Sequence, residues 1–271
     1  MKKHSLIKGT IILGLAGIVS KFLGLFFRWP LIMLIGDEGI GYYQMSYPLY
    51  TFFIALASGV PIAISKLVSE KNALGDKEGI MKVLKESFIL MIFMGFGSTA
   101  LLLIFSKHII SYLQWSEKSY YSLIAISIAP SFIAIMSVLR GFFQGLQNMK
   151  PTAVSQIIEQ LGRVIVGVGL AVLLLPYGVE YAAGGAAIGA SAGGLFGGVY
   201  LIIKYIRIKM PIRLFKLKKD EKVLESLLRI SIPLSLGATV ATIMGLIDSI
   251  LVPKKLLEAG LTSKEATILY G

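Results

Sequence analysis

Apolar residues in this chain gather into seven runs of about twenty or more, approximately 7–33, 42–65, 86–106, 121–143, 153–175, 182–206 and 230–252. A helix rises about 1.5 Å per residue, so each run is long enough to cross roughly 30 Å of hydrocarbon. A transmembrane β-barrel would instead alternate apolar and polar residues in shorter segments. The predicted fold class is therefore all-α, a polytopic membrane helix bundle. Composition agrees. Of 271 residues, 55% are hydrophobic and 15% charged, with a mean hydropathy of +0.77, whereas a soluble domain carries about 25% charge to solvate its surface. A soluble enzyme and a disordered chain are excluded on that ground. The first run follows Met1-Lys2-Lys3-His4, meets no small-x-small cleavage site before Lys21, and continues to Ile35. It predicts a retained helix, not a secretory signal.

The net charge of +12 is distributed by side. The N-tail and the loops after runs 2, 4 and 6 hold nineteen lysines and arginines, from Lys2 through the basic segment Lys204–Arg229. The opposite side holds six: Arg28, Lys107, Lys118, Lys254, Lys255 and Lys264. Positive residues stay inside, so the expected topology is multi-pass with a cytoplasmic N-terminus. The basic segment reads either as a clamp for anionic membrane lipids or as a topology anchor joining two halves, not as a nucleic-acid site. The absence of cysteine removes disulfides, thiolate metal sites and cysteine nucleophiles, and it fits a bacterial inner membrane.

Two patterns concern packing. Run 6 carries Gly185-x3-Gly189-x3-Gly193-x3-Gly197, flanked by Ala182, Ala186, Ala190, Gly194 and Gly198 at the same interval. Residues four apart share a helix face, so two ridges almost without side chains predict close helix contact within the bundle. Runs 1 and 7 align at an offset of 221, with identities including Ile11/Ile232, Val19/Val240, Gly24/Gly245 and Gly39/Gly260. Both start from the cytoplasmic side, as parallel repeats of a two-lobed transporter would.

Ionisable groups inside the runs are the functional candidates, because an intramembrane charge costs between about 2.5 and 17 kcal/mol. Lys21 and Arg28 lie seven residues apart, hence on one helix face. Lys21 is near mid-run, where a cavity-facing role is expected. Arg28 either joins it or snorkels to the outer headgroups. Pro30 predicts a kink beside Arg28. Glu159 and Arg163, with Gln156 and Gln160 alongside, form an i,i+4 pair in the favourable order; it reads as a neutralised structural pair or as an ion relay. Asp248 lies at the depth of Arg28 and is a candidate to neutralise it or to titrate. No Gly-x4-Gly-Lys-Ser/Thr phosphate loop and no His-Glu-x2-His motif occurs, and His4 and His108 stand apart. No catalytic residue, metal or cofactor is expected.

Several strings resemble a known family. Lys8-Gly9-Thr10, Ser20-Lys21-Phe22-Leu23-Gly24 and Arg28-Trp29-Pro30-Leu31 resemble the first helix of the multidrug/oligosaccharidyl-lipid/polysaccharide exporter superfamily. So do Gly39-Ile40-Gly41-Tyr42-Tyr43-Gln44, Tyr47-Pro48-Leu49-Tyr50, Arg140-Gly141-Phe142-Phe143-Gln144-Gly145 and Gln156-Ile157-Ile158-Glu159-Gln160. Within that superfamily they resemble the stage V sporulation protein B and polysaccharide biosynthesis branch. The resemblance implies two lobes working by alternating access, with residues 1–222 as a six-helix first lobe. Residues 223–271 would hold the linker end and the helix opening a second lobe, so the chain resembles an N-terminal fragment whose partner is a missing C-terminal lobe. The implied substrate is a polyprenyl-diphosphate-linked saccharide for peptidoglycan, spore cortex or another polysaccharide, bound by Lys21 and Arg28. A cation-coupled drug exporter of the same superfamily, drawing on Glu159 and Asp248, and a membrane scaffold in wall assembly stay open beside it. Where the related lipid II flippases carry a second-helix arginine, this chain reads Leu49-Tyr50-Thr51-Phe52.

Overall fold

The computed structural model describes residues 3–208 and 220–271. Among these residues the secondary structure is helical, without strands: α1 (Lys3–Ala57), α2 (Gly59–Ala73), α3 (Lys77–Leu113), α4 (Ser119–Ser127), α5 (Ala129–Gly145), α6 (Met149–Leu174), α7 (Val179–Arg207), α8 (Glu221–Glu258) and α9 (Ser263–Tyr270). Six stretches are long and apolar enough to cross a membrane, the first being Lys8–Ala73. That stretch crosses twice. Gly36, at φ 60° and ψ −172°, breaks α1 into two arms, residues 3–35 and 37–57. The Phe27 and Tyr43 rings then lie 6.1 Å apart, although sixteen residues of straight helix would separate them by about 24 Å. The arms fold back on each other. Seven crossings result, as the apolar runs predict.

The break corrects one expectation. Pro30 and Pro48 both lie within α1, and Gly36 alone departs from helical dihedrals. Glycine adopts positive φ without a Cβ clash, so the chain turns six residues beyond the expected kink. A similar device recurs at Gly260, φ 90°, between α8 and α9, which the 221-residue offset sets close to the turn between the arms.

The small-residue ridges of α7 pack inside the bundle. A Cβ on Gly185 would meet the Leu170 carbonyl at 2.9 Å and one on Gly189 the Arg163 carbonyl at 2.6 Å. Gly193 faces the Glu159 carbonyl, and Gly197 faces Ser155. The ridge thus steps along α6 turn by turn and fixes the depth of Glu159 and Arg163. The second ridge meets α5 through Gly194 against Phe132 and Ile133 and through Gly198 against Met136. Buried Ile64, Leu84, Ile126, Phe142 and Leu201 complete the main core. Large apolar side chains such as Trp29, Phe93 and Ile104 stay exposed, which suits a surface facing acyl chains.

Helix α8 docks on α1 and α2. The Gly59 N–H donates to Ser235 Oγ at 3.1 Å, Trp115 Nε1–H donates to the Ser249 carbonyl at 2.8 Å, and Lys264 of α9 pairs with Glu38 at 2.9 Å. At the other end of α8, buried Glu86 accepts the Asp220 N–H at 3.1 Å. Of the basic segment Lys204–Arg229, residues 209–219 lie outside the described residues, and both readings of that segment rest largely there.

Candidate functional site

The fold-back of α1 creates a cavity of about 330 Å³ between its two arms and α6. The first arm supplies Ser20, Lys21 and Arg28. The second supplies Tyr43, Gln44 and Tyr47, and α6 supplies Gln160 and Arg163. Phe27, Leu31 and Ile40 make the apolar part of the wall. No aspartate or glutamate lines it. Lys21 and Arg28 therefore share one hollow, and a third cation joins them. Among the described residues neither Lys21 nor Arg28 makes an ion pair.

Arg163 reaches this wall because its expected partner is engaged elsewhere. Glu159 Oε2 accepts from Arg140 Nη2 at 2.9 Å, across from α5, while Arg163 Nη2 stands 4.0 Å from Glu159 Oε1. Arg140 Nε–H also donates to Ser155 Oγ at 2.9 Å. The Glu159–Arg163 pair is thus real but loose, and the tight pair joins two helices. Arg140, counted from sequence with the basic residues of the cytoplasmic side, lies inside α5 with 15% of its side chain exposed. Arg163 Nη2–H donates to the Tyr50 hydroxyl at 3.3 Å, and its buried Nε has no partner. A guanidinium has five N–H donors in a planar fork suited to carboxylate or phosphate oxygens. Most of that capacity is unspent.

Asp248 is not brought to Arg28. It sits exposed on α8, on the side where Tyr270 lies, and among the described residues no ion pair links the two. A second cavity of about 310 Å³ lies behind Tyr50 and includes Arg140, Gln144 and Glu159. Among the described residues no group of three or more histidines and carboxylates is placed to hold a metal ion.

The sequence reading missed Arg140 as the partner of Glu159 and Tyr43, Gln44 and Tyr47 as cavity wall. All four fall within strings that carry the resemblance, which was the available signal.

Seven apolar crossings, with a cationic hollow between the arms of α1 and α6, define a multi-pass helical membrane protein. The chain belongs to the polysaccharide biosynthesis protein family, whose sequence model it matches over residues 6–260. It is 36% identical to stage V sporulation protein B of Bacillus subtilis over 100% of this chain and 53% of that protein. It is 35% identical to lipid II flippase MurJ of Bacillus subtilis over 74% of this chain and 39% of that protein. The chain thus spans about half or less of these relatives' length. Among solved structures, an inward-facing multidrug resistance MATE family transporter of the MOP superfamily aligns with a TM-score of 0.74 at 17% identity, covering 92% of this chain and 56% of that one. A MOP superfamily transporter from Pyrococcus furiosus aligns at 0.71 and 16% identity, over 97% and 62% of the two chains. These likenesses establish the fold.

Proposed function

We propose that this chain carries the cation-lined side of a flippase for polyprenyl-diphosphate-linked saccharides, in the bacterial cell membrane with the N-terminus cytoplasmic. Residues 1–222 form one lobe, residues 223–271 open the second, and the cavity alternates between the two sides. Lys21, Arg28 and Arg163 receive the diphosphate, and the polyprenyl tail stays in the surrounding lipid. The observation that carries this reading is a wall with three cations and no carboxylate. Three cations among apolar helices, Lys21 and Arg28 without an ion pair among the described residues and Arg163 only loosely paired, are costly unless a negative guest or water compensates them. A diphosphate supplies that charge, and guanidinium groups grip it by charge-assisted, often bidentate, hydrogen bonds. A drug exporter binding cationic compounds needs the opposite polarity, and here Glu159 is held by Arg140. The relatives support the substrate class, since one is named a lipid II flippase and another a sporulation protein.

The test is translocation of a fluorescent undecaprenyl-diphosphate-linked saccharide in liposomes holding the full chain. Lys21→Ala and Arg28→Ala are each expected to lower the initial rate about tenfold or more, as loss of a hydrogen bond to a charged group worth about 1.5–3 kcal/mol implies. Gradient-driven efflux of ethidium, or undiminished flipping by both variants, overturns the proposal.

A further inference from the structure

We infer that the second arm of α1, with Gln160 of α6, is the saccharide-reading wall of the same cavity; the inference rests on the flippase reading above. The cations come from the first arm and α6, through Lys21, Arg28 and Arg163, whereas the second arm contributes only neutral groups, Tyr43, Gln44 and Tyr47. Tyr43 and Tyr47 stand side by side with ring centroids 5.6 Å apart, and Gln44 follows Tyr43 directly. The two arms therefore present different chemistry to one space of about 330 Å³.

The neutral wall is unpartnered. Gln160 Oε1 and Ser20 Oγ are buried without a hydrogen bond. Gln156 Oε1, one turn along α6 and outside the lining of this cavity, is in the same condition. Among the described residues the side chains of Gln44, Tyr43 and Tyr47 have ring contacts at most and no hydrogen bond. Native proteins pair nearly all of their buried polar atoms, so a run of exceptions marks a place that another molecule completes. A phosphate does not satisfy Gln160 Oε1, because both have only acceptor oxygens to offer. An amide both donates and accepts, which matches a hydroxyl that does the same. The flat apolar body of a tyrosine with its polar tip matches a sugar ring, with C–H groups on its faces and hydroxyls at its edge. A pyranose beside the diphosphate answers both needs: hydroxyls on Gln44 and Gln160, ring against Tyr43 and Tyr47, diphosphate on the cations. The volume lies within the roughly 300–1,000 Å³ usual for small-molecule pockets.

The test compares two lipids on the full chain in nanodiscs: undecaprenyl diphosphate, and the same lipid carrying one N-acetylhexosamine. Gln44→Leu and Gln160→Leu are each expected to weaken binding of the sugar-bearing lipid about tenfold, the effect of one lost buried hydrogen-bonding partner. Both should leave the sugar-free lipid unchanged, which also shows that the variants are folded. Tyr47→Phe, keeping the ring, should fall between. Lys21→Ala should weaken both lipids alike. If the leucine variants weaken both lipids equally, or neither, the wall holds only water and the inference is overturned. If the unaltered chain binds neither lipid, the flippase reading itself is lost and this inference with it. If it binds both lipids equally well, the flippase reading stands and the saccharide wall does not.

Discussion

Arg140 and Glu159 meet at 2.9 Å between α5 and α6, and this contact leaves Arg163 largely free to face the cavity. With 15% and 14% of their side chains exposed, the two groups are shielded in the bundle. Removing one partner of a shielded pair leaves the other charge uncompensated, which costs about 3–5 kcal/mol. Arg140→Ala is expected to lower the thermal stability of the detergent-solubilised chain by that order. Glu159 is left with only its loose 4.0 Å contact to Arg163, a negative charge beside a cavity cation, so lipid-diphosphate binding falls as well. Arg140→Ala combined with Glu159→Ala should recover part of the stability, because neither charge is stranded. A double-mutant cycle on melting temperature checks this, and additive losses would show that the pair contributes nothing.

The α7 ridge predicts a contrast between glycines. Gly193 has the Glu159 carbonyl within contact distance of any added Cβ, whereas Gly97 of α3 has nothing within 4 Å. Gly193→Leu must push α6 away and displace Glu159; overpacking of this kind costs about 1–3 kcal/mol. Gly97→Ala places a methyl in open space and removes a helix-weakening glycine, a gain of up to about 1 kcal/mol. Thermal denaturation of the two variants beside the parent chain decides the matter, and equal melting temperatures count against the ridge.

The crossings and the ridge were legible because both are periodic: an apolar run long enough for the bilayer, and a four-residue interval that repeats one helix face. Lys21 and Arg28 were legible for a related reason, since a seven-residue spacing returns to the same face. What was not legible depends on contacts between elements. Glu159 has an attractive partner four residues away in Arg163, and only the approach of α5 reveals that Arg140 takes its nearer oxygen. Tyr43, Gln44 and Tyr47 become a wall only after the arms fold back at Gly36, whereas the sequence pointed to Pro30 for the bend. Asp248 matched Arg28 in depth along the repeat, but depth says nothing of rotation about the helix axis.

Orientation across the membrane can be read with single cysteines, since the chain contains none. Asn72, in the last turn of α2 before α3, and Glu117, between α3 and α4, are both exposed and lie towards opposite ends of α3. With a cytoplasmic N-terminus, Glu117→Cys in intact cells should react with a membrane-impermeant maleimide. Asn72→Cys should react only after lysis. The reverse pattern would refute the orientation drawn from the lysine and arginine count.

The start of α3 carries a pH dependence whose sign follows from its cap. Asp76 accepts the Gly79 N–H at 2.7 Å and pairs with Lys71 at 3.2 Å. The Gly79 hydrogen bond first, and Lys71 second, hold its carboxyl below the usual carboxylate range. The ionised form is thus favoured more in the folded than in the unfolded chain. Its contribution is complete above the unfolded value of about 3.9 and fades as pH falls through the lower folded value. Asp76→Ala should therefore be less stable than the parent chain at pH 7, with the difference shrinking towards pH 3. Asp76→Asn retains a side-chain acceptor for the cap but not the ion pair, so it should lie between the two at pH 7. Thermal shifts of the three proteins in one detergent across that range test the assignment, and a gap that widens in acid would show that the charge on Asp76 opposes the fold.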